Sequence, residues 1–87
     1  MWRIRIQEAA TKELAGLDRP VARRIVERLR WLAENFGRIR PEPLTGDLTG
    51  LHRFRVADYR IVYEIVHRER AIVVHGIGHR RDVYRRT

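Results

Sequence analysis

The sequence predicts an α+β fold of order β-α-α-β-β-β, a helical hairpin packed on one face of a small, mainly antiparallel four-stranded sheet, followed by a short C-terminal segment. Two features of the apolar pattern and one of length lead there. The apolar residues alternate with period two at the start, move to helical spacing through Phe36, and return to alternating or β-branched runs after residue 50. A chain of 87 residues buries only roughly 60–70% of its unfolded surface, which is enough for a single core. Residues 1–87 therefore form one domain.

Residues 2–6 read as a strand, with Trp2, Ile4 and Ile6 on one face and Arg3 and Arg5 on the other. From Gln7 the spacing turns helical, with Ala10, Leu14 and Leu17 on one stripe, and Gly16-Leu17-Asp18 closes the first helix. The second starts at once. Asp18 is placed as its N-cap, and Pro20 lies in the first turn, where a missing N–H is no loss. Val21, Ile25, Leu29, Leu32 and Phe36 then recur on one apolar stripe, and Gly37 stands where a helix end favours positive φ. Trp31 lies off that stripe and is expected to stay partly exposed, a plausible anchor for a partner helix.

Residues 38–50 hold two prolines and two glycines without a sustained period, and read as an exposed connection. Three strands follow, over residues 51–57, 59–66 and 70–77, joined by the short loops Ala57-Asp58 and His67-Arg68-Glu69. Residues 78–87 carry too few apolar groups for an independent helix and are expected to dock on the sheet or fray. With both helices between the first strand and the meander, one face of the sheet is covered. The other stays open to carry a site.

The charge points to a polyanion as partner. Nineteen basic residues against 11 acidic ones give a net charge of +8, and phosphate contact supplies most sequence-independent affinity for nucleic acid. Lys12 is the only lysine. The absence of cysteine excludes a disulfide framework, a thiolate zinc site and a cysteine nucleophile. No stretch resembles a membrane span or a secretory signal, which leads us to expect a cytoplasmic protein with no membrane partner. The pair His75 and His79 spans a strand end with no acid beside it, so neither a metal nor another cofactor is expected.

Alternation gathers the arginines. Burying Phe54 and Val56 turns Arg53 and Arg55 outward, and the inward set Tyr59, Ile61, Tyr63 and Ile65 leaves Arg60, Val62 and Glu64 on the same open face. Guanidinium groups hold phosphate oxygens bidentately and stabilise charge building on phosphorus without giving up a proton. His52 is expected to point inward.

The segments Leu51-His52-Arg53-Phe54-Arg55-Val56, Asp58-Tyr59-Arg60-Ile61-Val62-Tyr63-Glu64-Ile65 and Ile77-Gly78-His79-Arg80-Arg81-Asp82-Val83-Tyr84-Arg85 resemble the C-terminal half of RelE-type toxins, within the RelE/ParE superfamily of type II toxins. The order of the N-terminal elements is similar too. The resemblance implies a RelE-like fold and a metal-independent endoribonuclease, an mRNA interferase that cuts message in the ribosomal A site by driving the ribose 2′-hydroxyl against the adjacent phosphate and so inhibits translation. It also implies a cognate antitoxin that holds the toxin in a hetero-oligomer. By motif position it places catalytic groups at Arg53, Arg55, Arg60, Arg80 and Tyr84; Arg53 and Arg55 are expected to bind RNA as well, and the neighbouring Arg81 and His79 are read from the residues themselves as further RNA contacts. Both strand cations are arginine here where better-studied members of the family have lysine, so proton transfer falls to Tyr84, His79 or His52.

Two other readings compete. A ParE-like toxin would share the fold and act on gyrase, without need of the strand cations, tail arginine and tail tyrosine together. A non-catalytic basic module would bind RNA or the ribosome and cut nothing.

Overall fold

A computed structural model describes residues 1–79 and arranges them as a helical hairpin against one face of a five-stranded sheet. Strand β1 (Arg3–Ile6) alternates as its sequence requires, Arg3 and Arg5 exposed while Ile4 and Ile6 pack against the core. Helix α1 (Glu8–Ala15) buries Ala10, and the N–H of Gly16 closes it on the carbonyls of Lys12 and Glu13. Helix α2 (Arg19–Asn35) begins at Asp18 with Pro20 in its first turn, although the Asp18 carboxylate makes no capping hydrogen bond. Ile25, Leu29, Leu32 and Ala33 are its buried residues, and the stripe read from the sequence is the one that meets the sheet.

The end of α2 differs from expectation. Gly37 does not take positive φ. The chain instead tightens into a 3₁₀ turn over Phe36–Arg38, which carries the Phe36 ring into the core against Trp2 and Tyr63, at 4.7 and 6.2 Å between centroids. Core packing of one aromatic ring outweighs the preference for a glycine cap.

The strand count also differs, five where the sequence suggested four. Within the stretch read as a loop, Glu42–Pro43 forms a short strand β2 antiparallel to β3 (His52–Val56), with Glu42 opposite Arg53 and Pro43 opposite His52. The prolines hid it, since proline cannot donate in a central strand. At a sheet edge the missing N–H faces outward and costs nothing. The sheet then runs β1-β5-β4-β3-β2, with β4 (Tyr59–Val66) and β5 (Ala71–His79) completing the antiparallel meander and β1 parallel to β5.

One irregularity shapes the open face. A bulge sits in the β4–β5 ladder, where Val62 pairs with Gly76 and Tyr63 with Val74, leaving His75 as the extra residue. Ile72, Val74 and Ile77 all join the core. Strict alternation forbids that set, because Val74 and Ile77 are three apart, and the inserted residue restores it. Beyond the bulge, Gly76 and Gly78 therefore share the face of Val62 and Arg60, away from the helices.

Candidate functional site

The β3–β4 hairpin turns on two residues, Ala57 and Asp58, and so fixes the register: Arg55 lies directly opposite Arg60, and Arg53 opposite Val62. Inward burial of Val56, Ile61 and Tyr63 leaves these arginines on the face away from the helices. Arg53, Arg55 and Arg60 are brought together there, as the sequence predicted. Glu42 joins them. The four side chains line a depression of about 100 Å³.

Each arginine is held differently. The Arg53 guanidinium donates to Glu42 Oε2 at 2.6 Å, an ion pair with both partners open to solvent. Arg60 Nη1 reaches back to the carbonyls of Ala57 and Tyr59, both at 3.3 Å, which anchors it at the hairpin turn. Arg55 is exposed and makes no ion pair among the described residues. One carboxylate thus faces three guanidinium groups. Its hydrogen bond to Arg53 and the charges of Arg53, Arg55 and Arg60 hold the Glu42 carboxyl below its ordinary value, against a smaller opposing effect of burial. The cluster keeps a surplus of positive charge suited to a phosphate diester.

Glu42 escaped the sequence reading because no periodicity marks it. The one available signal was an acid flanked by Pro41 and Pro43 in a strongly basic chain.

The histidines lie elsewhere. His52 points inward as expected, its ring stacked on Tyr63 at 5.6 Å, and its Nδ1 is buried without a partner among the described residues. Burial, and to a smaller extent His67, holds the imidazole below its ordinary value. Burial likewise pushes the Tyr63 phenol up to about 12. His79 does not join the arginines: alternation past Ile77 turns it toward the helix side, edge-on to Tyr59 at 5.9 Å. Arg80, Arg81 and Tyr84 lie outside the described residues. Trp31 is 38% exposed, stacked on Phe54 at 6.5 Å with the Arg28 guanidinium 4.5 Å over its ring.

No group of three or more metal-ligating side chains occurs among the described residues. No described helix is long and apolar enough to cross a membrane.

Comparison with known proteins places this geometry. No curated protein matches the sequence significantly. Among solved structures, a chain of the RelBE2 toxin–antitoxin complex of Mycobacterium tuberculosis superposes with a TM-score of 0.81 at 24% identity, covering 90% of this chain and 96% of that one. The isolated RelE toxin of E. coli gives 0.75 at 22% identity, over 91% and 84%. The archaeal RelE–RelB complex of Pyrococcus horikoshii gives 0.70 at 28% identity, over 94% and 98%. Residues 4–84 match the family model described as the ParE toxin of the type II toxin–antitoxin system parDE. That match spans nearly the whole chain, and with the RelE-like fold it establishes that this protein belongs to the RelE/ParE superfamily of type II toxins.

Proposed function

We propose that this toxin is a ribosome-dependent mRNA endoribonuclease, and the observation that supports it most directly is the meeting of Arg53, Arg55 and Arg60 around Glu42 on the open sheet face. In this reading the guanidinium groups bind the scissile phosphate and its neighbour. They stabilise the charge that builds as the ribose O2′ attacks phosphorus and the P–O5′ bond breaks. Each such donor is worth about 10²–10³ in rate. The products are a 2′,3′-cyclic phosphate and a 5′-hydroxyl.

Arginine stays protonated, so the proton leaving O2′ needs another acceptor. Glu42 is a carboxylate already inside the cluster and ionised at neutral pH, and we assign it that role. The departing O5′ takes its proton from water. Arg80 and Tyr84, carried over from the resemblance, add a phosphate contact and a phenol that positions the 2′-hydroxyl, with Arg81 as a further RNA contact, whereas His79, turned to the helix side, takes no part. The metal-independent character of the reaction rests on the guanidinium cluster supplying the charge that a cation would otherwise bring. A cognate antitoxin is the proposed protein partner, since the RelBE and RelE–RelB structures are toxin–antitoxin complexes.

Cleavage of translated message by purified protein tests this. Arg60→Ala should lower cleavage by about 100-fold, and a 2′-deoxy ribose at the attacking position should abolish it. Arg60→Ala cutting as well as the wild type overturns the assignment. A second reading, inhibition of gyrase, is favoured by the ParE description of the matched family. Loss of gyrase supercoiling at toxin concentrations that leave message intact would establish it instead.

A further inference from the structure

The same open face carries a second polar group that the phosphate chemistry leaves unused. His75 Nε2 and Glu64 Oε1 are 3.0 Å apart, with side-chain exposures of 32% and 45%. Glu64 is on the face of Arg60 and Val62, four residues along β4 from Arg60, ~13 Å away at strand rise. His75 is the bulge residue of β5, two strands from β3 and so ~10 Å from it. Bulges re-aim a side chain, and this one turns His75 to the open face while keeping both Val74 and Ile77 in the core. It also sets Gly76 and Gly78, which have no side chains, opposite Val62 and Arg60.

We propose that the Glu64–His75 pair is a nucleobase subsite that receives the base beside the cleaved linkage and favours bases bearing an exocyclic amino group over uracil. The inference rests on the ribonuclease reading. Adenine, cytosine and guanine each present an amino donor that a carboxylate can accept. Uracil offers one N–H flanked by two carbonyl oxygens, which a carboxylate repels. The hydrogen bond from His75 fixes the Glu64 carboxylate and leaves its second oxygen, Oε2, to accept from the base. The pair stands outside the phosphate cluster and reads a base on a site whose arginines bind the backbone alike for every sequence.

The test compares kcat/KM for matched messages that differ only in the base adjoining the scissile linkage, uracil against each amino base. The wild type should prefer the amino bases by about tenfold. Glu64→Gln, whose amide offers both a donor and an acceptor, should collapse that ratio towards one by accepting uracil, and His75→Ala should also reduce it. Arg60→Ala should depress every message alike and leave the ratio intact. Thermal unfolding checks that each variant folds, and His75→Gln supplies a second measure if Glu64→Gln does not. Ratios unchanged in the Glu64 and His75 variants overturn the subsite while leaving the ribonuclease standing. Absence of cleavage of any message by the wild-type toxin removes the ribonuclease, and the subsite with it.

Discussion

Arg55 and Arg60 stand directly opposite one another across the β3–β4 ladder, two like charges at adjacent positions on an open sheet face. Opposed like charges weaken a strand pair by about 0.2–1 kcal/mol. The fold accepts that cost where an uncharged cross-strand pair would serve stability better, which is the pattern of a site that an anion completes.

Replacing Arg55 by Thr should therefore raise the denaturant midpoint by the equivalent of about 0.5 kcal/mol at low salt, with the slope unchanged, while RNA affinity falls. Inorganic phosphate should stabilise the wild type more than the variant. Chemical denaturation with and without phosphate checks both. A variant that loses stability, or an equal phosphate effect in the two proteins, counts against an anion-binding role for the pair.

Glu42 titrates below its ordinary 4.5 because Arg53, then Arg55 and Arg60, favour its charged form. A carboxyl lowered in the folded state stabilises the fold above its unfolded value, and that contribution is lost as pH falls from 4.5 through the lowered folded-state value. The pair is solvent-exposed, so the effect is small. Carbon-13 NMR should show the Glu42 midpoint below 4.5 and its return upward in Arg53→Ala. Glu42→Gln should cut message cleavage by about 100-fold while unfolding within about 1 kcal/mol of the wild type.

His52 is neutral in the folded state, held below its ordinary 6.5 chiefly by burial. Unfolded chains take up a proton first as pH falls, so the fold should lose stability from 6.5 downward until the folded histidine also protonates. His52→Phe keeps the stack on Tyr63 and removes a buried nitrogen that has no partner among the described residues. It should raise stability by about 1 kcal/mol and flatten the slope below pH 6.5. Unfolding free energies between pH 5 and 8 decide the matter, with a steeper slope in the variant as the adverse result.

Ala57 takes φ 53 in the β3–β4 loop, a left-handed conformation that alanine tolerates poorly. Asparagine adopts it more readily, so Ala57→Asn should stabilise the protein by about 1 kcal/mol. Because the same turn sets Arg60 opposite Arg55, cleavage should be retained if the register is retained. Thermal unfolding and the message assay together test this.

Much of the fold was legible because hydrophobic period carries it. The stripe from Val21 to Phe36 and the inward set Phe54, Val56, Ile61 and Tyr63 specify a helix and two strand faces from side-chain spacing alone. Alternation then forces Arg53, Arg55 and Arg60 outward together, and a two-residue loop leaves little freedom in their register. Period says nothing about pairings that a residue makes through its backbone at a sheet edge, so Glu42–Pro43 passed for loop, and Glu42 with it.

The sequence by itself determined the excess of positive charge, through composition, and the α+β order and the face on which three arginines gather, through local alternation and burial. Only the tertiary structure decided that β5 lies between β1 and β4, that a bulge at His75 turns a histidine and two glycines to the arginine face, that His79 turns from it, and that Glu42 sits among the guanidinium groups. Those outcomes depend on which strands meet and in what register. Register is settled by packing between segments far apart in the chain, through balances that no single segment encodes.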